Sequence, residues 1–418
     1  MALRPATSTP YSMAQITTFL VILFPFLLSA QRSAPAPLPV EDVDLLLLPP
    51  LDNAALLAAE QARWWPGLAP RFAEALEVAV TPDSHGSWEQ LPGGDWVWRL
   101  RIRSPGAHSL NLGFARYRMP TGGTLLLYSE DRERVLGPFT AADNEAHGQL
   151  WTPVFDGDAL VLELRLPAAG REKLELLLHR VNHDFLGFRR RLSSGDCHLD
   201  VNCRSADGWA IVDPYADVIR SVALYGFGGD SFCSGFLINN AREDCTPYFL
   251  TAYHCGVDAD NDASVVVYWN YENSRCRPPG AANNGGAGDG PLDDVNRGAV
   301  LRASYAASDF MLLELEEPVS RSAAAYFAGW SAAAALPGDT LACVHHPSSN
   351  EKRISFSFAQ TYRGEWGRGA EAVADGDHLV VPAWDIGATE VGSSGAPLFD
   401  RQRRAVGQLH GGLAACDN

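Results

Sequence analysis

Lysine is almost missing from this chain. Only Lys173 and Lys352 occur in 418 residues, and after position 191 Lys352 stands alone. Cysteine is also missing from the first 196 residues: all eight cysteines fall after them. No Cys-x-x-Cys pair occurs, which argues against a zinc ribbon. Positive charge is outweighed, with 33 Lys and Arg against 50 Asp and Glu, a net charge of −17. That balance argues against nucleic acid as the partner and suits a soluble exported protein. Long apolar runs are absent beyond Ile16–Leu28. That run follows the single charge Arg4, is broken by Pro25, and ends at Ser29-Ala30. It is too short for a comfortable membrane span and reads as an export signal over residues 1–30.

Hydrophobic residues make up 46% of the chain and aromatics 10%, enough for packed cores. The length exceeds one average domain. Residues 31–50, rich in Pro, Ala and Leu, read as a leader or linker. Residues 55–80 carry Ala, Leu and Glu at helical spacing and predict one helix. From Trp96 the period changes. Trp96–Ile102, Thr124–Tyr128 and Leu160–Leu166 alternate, with Gly and Pro turns between them, and predict a small β-sandwich without cysteine.

The basic run Phe188-Arg189-Arg190-Arg191 separates this region from the cysteine-bearing one and predicts cleavage before Leu192. Beyond it, Val218–Tyr225, Cys233–Ile238, Pro247–Ala252 and Val265–Trp269 are short apolar runs broken by Gly-rich stretches, the pattern of antiparallel barrels. An even cysteine count in an exported segment predicts disulfides.

Three segments carry chemistry. Thr251-Ala252-Tyr253-His254-Cys255 offers a histidine, Ser308-Asp309-Phe310 an aspartate, and Gly392-Ser393-Ser394-Gly395-Ala396-Pro397 a serine among small residues. A serine hydroxyl needs an imidazole to take its proton and a carboxylate to orient that imidazole. Small residues let the backbone turn sharply, so that the Gly392 and Ser394 N–H groups converge on a developing oxyanion. Each segment alone is weak; together, in this order, they are a strong signal. His345-His346 lacks a third ligand at metal spacing. Asp258, Asp260 and Asp262 alternate as in a calcium loop, but Ala263 and Trp269 replace the glycine and closing glutamate of an EF-hand.

Residues 192–418 resemble the bacterial lysyl endopeptidase branch of the trypsin-like serine proteases. The likeness runs through Phe249–Cys255, Val267–Tyr271, Ser308–Leu315, His345-His346-Pro347, Glu351–Ser355, Gly392–Gly395 and Gly407–Gly412. The resemblance implies an all-β fold of two antiparallel β-barrels, with residues 31–191 as a β-sandwich-like propeptide. The first barrel would span about 205–318 and the second about 325–418. It implies His254, Asp309 and Ser394 as the catalytic triad, and Gly392 and Ser394 N–H as the oxyanion hole. Trp366 and His410 would flank the cleft, and Gly411 and Gly412 would hydrogen-bond an extended substrate, as in β-augmentation.

It also implies the disulfides Cys197–Cys416, Cys203–Cys276 and Cys233–Cys255, leaving Cys245 and Cys343 as a pair that could bond to each other. Cofactors and metals are not implied. Partners would be protein or peptide substrates, with no nucleic acid and no membrane once the signal is removed, and the enzyme would be a secreted monomer. Position 393 is Ser, where animal trypsins carry an Asp that pairs with the freed N-terminus. Cleavage after lysine is the family's preference, but in that branch the carboxylate that binds lysine lies several residues past the position of Cys416. The second barrel is therefore expected to be incomplete, and the 418-residue chain not to be a competent protease. A catalytically inactive, exported binding protein is the alternative from a different class.

Overall fold

The computed structural model describes residues 38–63, 68–187, 195–286, 288–333, 336, 338, 340–367 and 372–416. The signal, the Arg189–Arg191 run and Leu192 lie outside the described residues. The fold is all-β, with two short α-helices among the described residues, Asn53–Arg63 and Ala216–Ile219.

In the N-terminal half the alternating runs become two stacked sheets. Trp96–Arg103 pairs with Ala159–Leu166, and that strand pairs with Thr124–Tyr128. The second sheet is built on Glu175–Asp184, between Ala73–Val80 and Ser109–Arg118. The period of two sends Leu100, Ile102, Leu125, Leu127, Leu160, Leu162 and Leu164 into one dry layer with Leu110, Leu112 and Phe114 of the other sheet.

Two expectations fail here. The predicted helix over 55–80 ends at Arg63, and Ala73–Val80 is a strand. Its Ala-Glu-Ala-Leu-Glu-Val-Ala-Val alternation pairs with Glu175–Asp184, and long-range pairing overrides local propensity. Nor is the stretch before residue 50 a plain linker. Leu45–Leu47 adds a parallel strand to Arg101–Arg103.

The C-terminal half starts in the second of its own two sheets, where Leu199–Asp200 pairs with Arg353–Ser357. The chain then enters a seven-stranded antiparallel sheet. Its path runs Val295–Arg297, Val266–Tyr268, Val222–Phe227, Ser231–Leu237, Tyr248–Ala252, Phe310–Leu315 and Ala299–Tyr305. The first and last of these are joined through Gly298 alone, at φ +70°, so the sheet must roll until its ends meet. Val218 and Ile219, expected in a strand, lie in the short helix, and the strand begins at Val222.

The other sheet, with Leu341–His345, Pro397–Phe399 and Ala405–Gln408, has five strands; its outer two do not pair with each other among the described residues. A two-stranded ribbon, Tyr362–Gly364 with His378–Val380, stands beside it. Three disulfides staple this half: Cys197–Cys416, Cys203–Cys276 and Cys233–Cys255. Cys245 and Cys343 do not bond. Cys245 is exposed in the loop before Tyr248–Ala252 and Cys343 is buried mid-strand, where burial pushes its thiol pKa up.

The halves share an apolar cluster. Phe72, Trp151, Phe185 and Leu186 pack with Phe232, Tyr268, Tyr271 and Leu292. Around it, Phe72 N–H donates to Asp230 O (2.8 Å), Phe232 N–H donates to Pro70 O (3.2 Å), and Asn111 donates to Gly229 O (2.8 Å). Two ion pairs close the rim, His147 with Glu316 at 2.9 Å and Arg297 with Asp143 at 2.5 Å.

Candidate active site

His254 and Asp309 are placed by one sheet. Tyr248–Ala252 ends in the single 3-10 turn Tyr253–Cys255, and its neighbour begins at Phe310 opposite Ala252. Asp309 sits at the hinge before that neighbour, at φ +56°. Its carbonyl accepts from Tyr253 N–H at 2.8 Å and its Oδ1 accepts from His254 N–H at 2.8 Å. The carboxylate is 1% exposed, and its Oδ2 accepts from His254 Nδ1 at 2.8 Å. Because a carboxylate only accepts, the Nδ1–H tautomer is fixed and His254 Nε2 faces outward with its lone pair. The Cys233–Cys255 bridge ties the turn to the strand Ser231–Leu237.

Ser394 arrives from the other sheet, on the loop before Pro397–Phe399. Its Oγ lies 2.8 Å from His254 Nε2. The loop is fastened to the first sheet by Ser234, whose N–H donates to Ser394 O (2.9 Å) and whose Oγ donates to Gly392 O (2.9 Å). Glycine is required on both sides. A Cβ at Gly395, at φ +83°, would fall 2.2 Å from Thr251 Oγ1 and 2.3 Å from Ser234 O. One at Gly392, at φ +84°, would fall 2.6 Å from the Phe232 ring.

Within this run Ser393 N–H donates to Glu390 O and Gly395 N–H to Leu409 O, at 3.0 and 2.8 Å. The N–H groups of Gly392 and Ser394 have no acceptor among the described residues. Backbone donors left unused in this run suit a charge that forms only during reaction. Ser393 is fully buried, with its Oγ 2.8 Å from His345 Nδ1 and accepting from Glu390 N–H at 3.2 Å.

Rings stack over the pair. His410 lies 5.3 Å from His254, centroid to centroid, and 3.7 Å from Trp366, both nearly parallel. A Cβ on Gly411 would touch the Trp366 indole at 2.6 Å; Gly412 is exposed, with nothing closer than Ala414 N at 3.9 Å. Burial holds His410 down to about 4, so it is neutral near pH 7. The structure thus brings together His254, Asp309, Ser394, Gly392, His410, Trp366 and Gly411.

Sequence reasoning missed Ser234, Gln408, whose Nε2 donates to Asp309 O at 2.7 Å, and the pair Asp377 and His378 behind His410. An amide or hydroxyl acting on backbone carries no motif; only the position of Gln408 beside His410 hinted at it. His345 and His346 are fully buried structural residues, with His345 held between Ser393 and Ser355. The Asp258 and Asp262 carboxylates are engaged by backbone N–H groups of Asp260, Asn261 and Leu301.

A serine within hydrogen-bond reach of a histidine–aspartate pair suits a serine hydrolase, and the family matches narrow the class to a serine-type endopeptidase. Residues 192–418 match the model of the lysyl endopeptidase C-terminal domain, and residues 49–185 match that of the lysyl endopeptidase N-terminal domain. The chain belongs to the lysyl endopeptidase family. A lysyl endopeptidase of Pseudomonas aeruginosa is 28% identical over 372 residues, covering 83% of this chain and 76% of that protein. Among solved structures, the active form of the Rv3671c protease from M. tuberculosis superposes with a TM-score of 0.30 at 16% identity, covering 55% of this chain and 82% of that one. The HtrA-type protease AlgW with tripeptide gives 0.30 at 14% identity, covering 49% and 59%. Overlaps this loose carry no argument about the site.

Proposed function

We propose that the chain is the precursor of a secreted serine endopeptidase that cleaves peptide bonds through an acyl-enzyme. The observation that carries the reading is the unbroken line Asp309 Oδ2, His254 Nδ1, His254 Nε2, Ser394 Oγ, with 2.8 Å at each hydrogen bond. Ser394 Oγ attacks the scissile carbonyl while its proton passes to His254 Nε2. Asp309 holds the imidazolium that forms. Gly392 and Ser394 N–H receive the oxyanion. His254 then returns the proton to the leaving amine, and water repeats the sequence on the ester. Trp366, His410, Gly411 and Gly412 border the path of an extended substrate.

The N-terminal half is the propeptide, cleaved near Arg191. Its docking through Phe72, Trp151, Phe185 and Leu186 supports this role. Export fits the three disulfides and the apolar run at 16–28, which lies outside the described residues. No helix among the described residues is long and apolar enough to cross a membrane.

The test is labelling by a peptidyl organophosphonate. Modification must map to Ser394, and Ser394→Ala must lose both label and turnover. Amide substrates ending in Lys, Arg and Leu rank the side-chain preference, with Lys expected first from the family. N-terminal sequencing of secreted protein checks the cut; a first residue far from 185–200 overturns it.

A further inference from the structure

The Asp377–His378 pair belongs to no part of the reaction written above, yet it is wired to it. His378 opens the strand His378–Val380 of the ribbon. Its Nδ1 lies 2.6 Å from Asp377 Oδ1 and its Nε2 lies 2.9 Å from His410 Nδ1. His410 Nε2 in turn lies 3.8 Å from Asp309 Oδ2. Arg363 lies opposite Leu379 on the partner strand, and its guanidinium donates to Gly376 O at 3.3 Å. Facing His410 are Asp309, His254, His378 and Asp377.

Proton bookkeeping along this line allows two arrangements. Asp377 accepts, so His378 Nδ1 carries a proton in both. When His378 is neutral its Nε2 accepts, His410 must donate from Nδ1, and a bare lone pair on His410 Nε2 faces the Asp309 carboxylate. When His378 takes up one proton, its Nε2–H donates to His410 Nδ1. His410 stays neutral and carries its single proton on Nε2, pointed at Asp309. One proton is added overall. The change at Asp309 is from a facing lone pair to a facing N–H. A donor there withdraws charge from the carboxylate that supports His254 Nδ1–H, and lowers the basicity of His254.

We infer that Asp377 and His378 are positioning residues that set the tautomer of His410 and, through Asp309, the proton affinity of His254. This rests on the proposed triad. The two ideas fail separately, because phosphonate labelling of Ser394 reports the triad whatever His378 does.

The test uses the processed enzyme and the pH profile of kcat/KM. His378→Phe fills the space without nitrogen. It should move the acid limb upward by about half a pH unit and lower kcat about 2–10-fold, as general acid–base catalysis departs from its tuned value, with KM changed less than twofold. His378→Gln can keep an amide N–H on His410 Nδ1, holding the Nε2–H tautomer at every pH, and should restore the wild-type acid limb. Asp377→Asn, which weakens protonation of His378, should lie between. A second readout needs no turnover: the downfield proton resonance of His254 Nδ1–H in the Ser394→Ala protein should shift in His378→Phe and return in His378→Gln. An acid limb and resonance unmoved in both His378 variants, with Ser394 still labelled in the active background, overturn the inference.

Discussion

The two halves are both all-β and differ in how much charge they bury. In the N-terminal half the space between the sheets is filled by leucine, isoleucine, valine and aromatic side chains. Its buried polar residues include Asn111, Asn182, His183 and Asp184, with Asn182 donating to Asn111 and Asn111 to Gly229 of the other half, and Arg99, which pairs with Glu89. In the C-terminal half more charge goes into the core. Arg353 pairs with Asp200 at 2.8 Å, with both side chains at 1% exposure or less, and buried Lys352 pairs with Glu272 at 2.8 Å.

Non-directional burial is enough to make a half that folds and covers. A site whose atoms must stand at one distance needs directional bonds around it, and those cost desolvation that disulfides help to offset. The ion pairs are then expected to set geometry more than stability.

The largest contrast is functional. Ser394→Ala should lower turnover by about 10⁶-fold while leaving the thermal unfolding of both halves in place. An accompanying loss of structure, or more than a few per cent of residual activity, would remove Ser394 from its role. Next comes a crossed pair of stability measurements. Leu162→Ala should cost about 2–5 kcal/mol, confined to the N-terminal half. Replacing Cys203 and Cys276 by Ala should cost about 2–5 kcal/mol, confined to the C-terminal half. Hydrogen exchange locates each loss; a disulfide deletion that loosens Leu100 and Leu162 as much as Leu341 would end the contrast.

A smaller effect is expected at the seam. Phe72→Ala truncates a residue of the shared cluster and should weaken binding of a separately made N-terminal half by at least about 2 kcal/mol. Titration calorimetry with the two pieces measures it.

The smallest effect depends on pH. The hydrogen bond to Glu316 raises the pKa of His147, against the opposing effect of burial, with Glu145 and Asp262 adding to the rise. A raised histidine stabilises docking fully below its ordinary value near 6.5 and loses that contribution as pH climbs through the raised one. Affinity between the halves should therefore fall on passing from pH 6 to pH 9, by about 1 kcal/mol or less for this pair. His147→Gln should flatten the trend.

What could be read beforehand followed from residue type. The meeting of His254, Asp309 and Ser394 was legible because serine-hydrolase chemistry demands those residue types, and the sandwich because leucine alternates from Trp96 onward. Ala73–Val80 was misread because alanine and glutamate favour helix locally, while the partner strand that decides the matter lies a hundred residues away. Ser234 and Gln408 stayed hidden because they act on backbone atoms of Gly392, Ser394 and Asp309, where any hydroxyl or amide would look alike in a sequence. His378 is an isolated histidine until the ribbon folds it onto His410.

Ser234 has a further consequence. His254 and Asp309 ride on one sheet, so their spacing is fixed within a single rigid piece. Ser394 rides on the other. Among these three side chains only the 2.8 Å contact between His254 Nε2 and Ser394 Oγ spans the two pieces, so a slip between them registers at that joint. Ser234 clamps that joint from the first sheet with two bolts, on Ser394 O and on Gly392 O. Machinists would call this a single adjustable fit with its tolerance set at the clamp, and wear would register first in the clamp rather than in the working parts.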